Sequence, residues 1–192
     1  IDKDGNDRTA VCCLSSLNLE TYDEWQNEPN FIEDVMRFLD NVLTDFITRA
    51  PDSFKDAKYA AMRERSVGLG VMGFHSFLQK KSIPLESIMS KVWNGKIFKH
   101  IQEGADKASK KLSEERGPCP DAEEYGFKER FSNKTAIAPT ASISIICGGA
   151  SPGVEPVAAN SYTHKTLSGS YNVKNKYLKK ILEKYGKNND EV

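Results

Sequence analysis

The stretch Ala10-Val11-Cys12-Cys13-Leu14-Ser15-Ser16-Leu17-Asn18-Leu19 opens on five consecutive apolar residues. A short apolar run between polar flanks is the signature of a fully buried strand. Beyond Asn27-Glu28-Pro29 the period changes. Phe31, Ile32, Val35, Phe38, Leu39, Val42, Leu43, Phe46 and Ile47 fall on one stripe at helical spacing, which predicts an amphipathic helix ending before Pro51. Asn30 is its expected N-cap, with Glu33 completing a capping box. The alternation continues: Arg65–Gly73 reads as a glycine-rich strand or turn leading into a helix over Phe74–Gln79. A long helix over Leu85–Arg116, weakest near Asn94-Gly95, is ended by Gly117-Pro118-Cys119-Pro120. Residues 121–133 read as an exposed loop, Thr135–Pro139 as a buried strand, Thr140–Ser142 as the opening of a helix or turn, and Asn175–Tyr185 as helical. Strands alternating with helices of ten or more residues predict an α/β fold with parallel strands. No linker or repeat divides the chain, so residues 1–192 are expected to form one unit with no second domain.

The 192 residues suffice for one domain with a sizeable core, and 27 basic side chains balance 27 acidic ones. A net charge of zero supplies no field to draw in nucleic acid or an anionic membrane. Apolar stretches fall far short of the roughly 20 residues of a membrane span, and the N-terminus lacks a signal-peptide core; a cytoplasmic location is the expectation. Cys12, Cys13, Cys119 and Cys147 are too few and too scattered for a disulfide scaffold and lack zinc spacing. The chain starts on Ile1 in a polar stretch resembling a mid-protein loop, which suggests a fragment.

Three places carry candidate chemistry. Gly68-x-Gly70-x-x-Gly73 matches a dinucleotide fingerprint, with Glu86 downstream as a ribose-binding acid. That motif needs a preceding strand and the acid at the end of a second one, whereas Glu86 stands in a stretch that starts a helix, so close strand–helix packing is the plainer reading of these glycines. Pro139-Thr140-Ala141-Ser142-Ile143-Ser144 runs a strand into a hydroxyl-rich helix start. Such a start serves ordinary N-capping, or binds phosphate through free amides and hydroxyls. Adjacent cysteines on a strand point to opposite faces, so at most one of Cys12 and Cys13 can face a pocket. Either is ordinarily a buried structural thiol, and redox work requires a partner thiol nearby. His75, His100 and His164 stand without metal-ligand spacing, and no metal site is expected.

Taken together, Ala10–Leu19, Arg65–Phe74 and Ile137–Ser144, extended by Gly153-x-Glu155-Pro156, Asn160-x-Tyr162 and Thr166-Leu167-Ser168-Gly169, resemble the large subunit of class I ribonucleotide reductases over nearly the whole chain. The resemblance implies part of a ten-stranded α/β barrel. It implies that Cys12 is one of a pair of redox-active thiols, with Cys13 at a variable position, and that Pro139, Thr140, Ala141, Ser142, Ile143 and Ser144 hold the diphosphate of a ribonucleoside diphosphate, so that Cys12 and the turn line one cavity. It further implies a radical supplied by a metal-containing small subunit, a thioredoxin- or glutaredoxin-type reductant, a large-subunit dimer, and no cofactor bound by this chain itself. The family's radical-bearing Asn-x-Cys-x-Glu loop, first redox cysteine, regulatory regions, tyrosine pair and C-terminal cysteines are not in this sequence, so no turnover is expected of the chain alone. Two other classes remain: a split half or scaffold acting by docking to a complementary chain, with exposed apolar strand edges as its mark, and an NAD-dependent oxidoreductase using Gly68, Gly70 and Gly73.

Overall fold

A strand exists only where a partner backbone lies alongside, and this decides where the first one starts. In the computed structural model, which describes residues 1–166 and 169–189, strand β1 is Leu14–Asn18 and not the run around Cys12. It pairs in parallel with β2, Gly68–Met72, in the register Leu14↔Gly68 to Asn18↔Met72. Upstream of Gly68 the partner turns away, because Arg65 adopts a left-handed conformation (φ 43°) at the end of a helix. Residues 10–13 therefore have no ladder to join, although the Cys13 carbonyl accepts from Gly68 N–H at 2.9 Å.

Between these strands lie three helices: α1 (Tyr22–Trp25), α2 (Phe31–Arg49) and α3 (Lys55–Glu64). The stripe on α2 holds in part: Ile32, Leu39 and Leu43 are buried, as is Met36 beside them, whereas Phe38 and Val42 are exposed, and Ala50 ends the helix before Pro51. The capping box is not formed. Asn30 makes no side-chain cap bond, and the Glu33 carboxylate is drawn away to Arg37 at 3.1 Å and Lys111 at 2.7 Å. Helix α3 was not anticipated because alanines, Ala57, Ala60 and Ala61, form its buried side and give a faint hydrophobic period.

After β2 come α4 (Phe74–Lys80) and α5 (Ile88–Arg116). Helix α5 runs unbroken through Asn94-Gly95, capped by Ser87, whose hydroxyl accepts from Ser90 N–H. It lies along α2, and Gly104 lets the Ile32 side chain sit where a Cβ would stand 2.7 Å away. The predicted loop over 121–133 holds a short helix, α6 (Pro120–Glu124), and its Phe131 is fully buried. The core joins Tyr22, Met36, Leu39, Leu43, Leu69, Val71, Phe77, Ile97, Leu112 and Phe131 between β2 and the α2/α5 layer.

The expected buried strand over Thr135–Pro139 is a single parallel bridge, Leu69↔Thr135, and residues 135–137 are exposed. Among the described residues no further strand pairs with this segment, so it runs beside β2 with its side chains exposed. A one-turn helix, α7 (Ile143–Ile146), follows. The chain then forms an unanticipated antiparallel hairpin, β3 (Ser161–Thr166) and β4 (Gly169–Lys174), and the expected last helix, α8 (Lys176–Lys184), capped by the Asn175 side chain. Leu167 and Ser168 of the Thr166–Gly169 motif lie outside the described residues. Among the described residues the parallel patch is thus β1, β2 and the bridge at Thr135, with an open edge on either side. Two strands and a bridge cannot close a barrel, and the patch reads as a sector of one. No helix among the described residues is long and apolar enough to cross a membrane.

Candidate active site

The glycines of β2 create the site's floor. A Cβ at Gly70 would stand 2.1 Å from the Ala136 carbonyl oxygen, and one at Gly68 would meet Leu14 and Ala136 side chains at 2.4 and 2.8 Å. These two residues are bare so that the backbone of residues 135–137 can lie against the strand. This overturns the dinucleotide reading: Gly68 and Gly70 belong to the buried strand itself, not to a loop that could wrap a pyrophosphate. Gly73 (φ 79°) turns the chain into α4, and its N–H donates to the Ser151 carbonyl at 2.7 Å.

Past Pro139 the chain bends sharply at Thr140, a β-branched residue held at φ 51°. Such a conformation costs about 1–3 kcal/mol and persists only where neighbours enforce it. Here the Thr140 hydroxyl accepts from Gly153 N–H at 2.7 Å, and the Thr140 carbonyl accepts from Ser144 N–H at 3.0 Å. Buried Ser144 turns its hydroxyl back to the Ala141 carbonyl at 3.4 Å. The Thr140 hydroxyl is therefore tied to the Gly153 loop and the Ser144 hydroxyl is turned back into the turn, while Ser142 makes no cap bond. The backbone remains available: among the described residues, the N–H groups of Ala141, Ser142 and Ile143 donate to no protein acceptor, and all three residues are exposed. Successive free amides after a left-handed residue form a concavity suited to an anion.

Cys12 is exposed and Cys13 buried, the opposite-face arrangement expected of neighbours in extended chain. The Cys13 thiol donates to the Leu39 carbonyl at 3.8 Å, and burial pushes it up from its ordinary pKa, as it does buried Cys119. The register sets Cys12 before the first residue of β1. The Thr140 turn, five residues beyond the bridge at Thr135, lies past the level of Met72. The two stand toward opposite ends of the patch, and a single ligand would reach both only by running along it. Hollows of about 640 and 850 Å³ elsewhere, by Arg8 and Arg63 and by Lys110 and Pro118, are lined by neither.

The structure also brings in residues that sequence reasoning passed over. Ser76 and Ser151, both buried, exchange bonds: Ser76 N–H donates to the Ser151 hydroxyl at 3.1 Å, and Ser151 N–H to the Ser76 hydroxyl at 2.8 Å. No periodicity marks either; only the neighbouring Gly153-x-Glu155-Pro156 stood out in the sequence. His75 accepts from Val157 N–H at 3.2 Å through Nδ1, and burial lowers its pKa, with Glu86 opposing. His100, which no spacing marks in the sequence, shares a hydrogen bond with the buried Tyr22 hydroxyl at 3.1 Å and stacks on Trp25. Among the described residues no group of three His, Cys, Asp or Glu side chains could hold a metal ion.

Comparison with known proteins concerns the chain as a whole. The family model described as "Ribonucleotide reductase, barrel domain" matches residues 1–129 and 121–192. The large subunit of ribonucleoside-diphosphate reductase from Invertebrate iridescent virus 6 is 52% identical over 175 residues, 91% of this chain and 18% of that protein. A vitamin B12-dependent ribonucleoside-diphosphate reductase of Thermoplasma acidophilum is 35% identical over 169 residues, 82% of this chain and 21% of that protein. Among solved structures, the Actinobacillus ureae class Id ribonucleotide reductase alpha subunit superposes with a TM-score of 0.86 at 37% identity, covering 97% of this chain and 34% of that one. The chain thus spans about a fifth to a third of the proteins it matches.

Proposed function

Since the chain belongs to the ribonucleotide reductase barrel-domain family, we propose that it forms one sector of a large subunit that reduces ribonucleoside diphosphates, contributing the thiol of Cys12 and a phosphate-holding turn at Thr140–Ser144. The observation that carries this reading is the run of free amides from Ala141 to Ile143 behind the strained Thr140. Backbone donors fixed by a rigid turn bind a diphosphate without a lysine or arginine and lose little entropy in doing so.

In the reaction proposed, a thiyl radical from elsewhere in the large subunit takes the ribose 3′-hydrogen, and the 2′-hydroxyl leaves as water. Cys12 and a second thiol then give up two hydrogens, two electrons with two protons, as they join in a disulfide, and the 3′-hydrogen is returned. The balance is one diphosphate and two thiols in, one deoxyribonucleoside diphosphate, one disulfide and one water out. An external dithiol reductant reopens the disulfide. Exposure suits Cys12 to exchange with such a partner, since the attacking thiolate needs access; buried Cys13 does not qualify. The matched segment is shared by a protein named as vitamin B12-dependent and one titled class Id, so the separate metal-containing radical subunit belongs to this proposal through the latter.

The test is a pair of substitutions in a complete large subunit carrying this segment, supplied with radical source and dithiol. Cys12→Ser is expected to stop repeated turnover while Cys13→Ser retains it. Turnover surviving in Cys12→Ser but not in Cys13→Ser would overturn the assignment. Docking to the remainder of a barrel accompanies this reading and is favoured by the two open strand edges, with Ile137, Ile143, Ile145 and Ile146 exposed beside them.

A further inference from the structure

Ser76 is the third residue of α4, and its N–H is one of the donors a helix start leaves unpaired. The Ser151 hydroxyl accepts from that N–H, the Ser151 carbonyl accepts from Gly73 N–H at 2.7 Å, and the Ser76 hydroxyl in return accepts from Ser151 N–H. Ser151 is fully buried and Ser76 nearly so, so these bonds meet no competition from water. On either side of Ser151 the same short loop grips the turn: Ala150 N–H donates to the Ser144 carbonyl at 3.0 Å, and Gly153 N–H to the Thr140 hydroxyl at 2.7 Å. The loop therefore has one hand on the end of β2 and the other on the residues that aim the free amides.

We propose that Ser76 and Ser151 are a positioning pair that sets the height of the Thr140–Ser144 turn against β2, and hence the affinity for the diphosphate of the substrate; the inference rests on the phosphate reading of that turn. Neither serine touches substrate. Their effect passes through Gly153 and Ala150, and because each hydroxyl satisfies the other's N–H, the pair acts as one unit.

The test is steady-state reduction of a ribonucleoside diphosphate by a complete large subunit carrying this segment, as wild type, Ser76→Ala, Ser151→Ala and the double variant. The KM is expected to rise about tenfold in each single variant, with kcat changed less than about twofold, and the double variant is expected to match the singles. A loss of folded enzyme alone would lower kcat and leave KM in place. An unchanged KM in both single variants, or effects that multiply in the double, would overturn the inference. Competitive inhibition of the wild type by a deoxyribonucleoside diphosphate and by the deoxyribonucleoside tests the underlying reading separately. If the two inhibit equally, the turn does not hold phosphate. If only the diphosphate inhibits well while the serine variants keep their KM, the turn binds phosphate but the serines do not place it.

Discussion

Substituting Asp40 probes what ties the α2/α5 layer to the segment leading into the site. Its side chain is fully buried on α2 and receives three guanidinium groups: Arg65 at 2.6 and 2.9 Å, Arg130 at 2.9 and 3.3 Å and Arg116 at 2.7 Å. Arg65 caps α3, Arg116 ends α5, and Arg130 also donates to the Arg116 and Gly117 carbonyls at 3.0 and 2.9 Å. Asp40→Asn keeps the shape but leaves these cations without a counter-charge, and the side chains of Arg65 and Arg130 are only 9% and 11% exposed. Removing one member of a buried ion pair costs about 3–5 kcal/mol, a large part of the roughly 5–15 kcal/mol that holds an ordinary domain folded. For a chain of this size that corresponds to a fall in Tm of about 6–20 °C. The assay is thermal and urea unfolding of wild type, Asp40→Asn, and Arg49→Ala as a control at an exposed pair, where the change should stay within about 0.5 kcal/mol. Burial would raise the Asp40 carboxyl, but the bonds from Arg130 and Arg116 and the Arg65 charge outweigh it and hold the pKa below the ordinary value. The stabilisation is thus complete above the unfolded pKa near 4 and lost as pH falls through the folded one, a dependence absent from Asp40→Asn. A loss below about 1 kcal/mol, or an unchanged acid limb, would refute the reasoning.

Three further outcomes are expected. Gly70→Ala should destabilise by about 1–3 kcal/mol or more through its clash with the Ala136 carbonyl, while Gly95→Ala, in open space within α5, should stabilise by about 0.5–1 kcal/mol; urea midpoints that moved in the opposite order would contradict the packing described. His75 accepts from Val157 N–H in its neutral form, and its folded pKa lies below the unfolded value near 6.5. Its contribution is therefore full above that value and is lost as pH falls below it, so the drop in Tm between pH 7.5 and 5.5 should shrink in His75→Asn, and an unchanged drop would remove the role given to this bond. A bulky thiol reagent should modify Cys12 in the native chain, and Cys13 and Cys119 only after unfolding; equal rates at Cys12 and Cys13 would show that the latter is not packed into the core beside Leu39.

The α2 stripe, the end before Pro51, the long α5, the Asn175 start and the α/β alternation were legible because each depends on neighbours a few residues apart, where period, capping and proline act within one segment. So were the motifs that place the chain in its family. Pairing was not legible. Strand β1 starts at Leu14 because Arg65 turns the partner chain away before Gly68; Asn30 lost its capping box because Arg37 and Lys111 claim Glu33; and Gly68 and Gly70 serve a backbone some sixty-six residues downstream. At the site the sequence supplied Cys12 and Pro139–Ser144, but it could not say that the hydroxyls of Thr140 and Ser144 would meet the Gly153 N–H and the Ala141 carbonyl while the amides of the turn stayed free, nor that Ser76 and Ser151 would meet across 75 residues. Local chemistry writes itself along the chain. Which donor finds which acceptor is settled only when distant segments are brought within about 3 Å of each other.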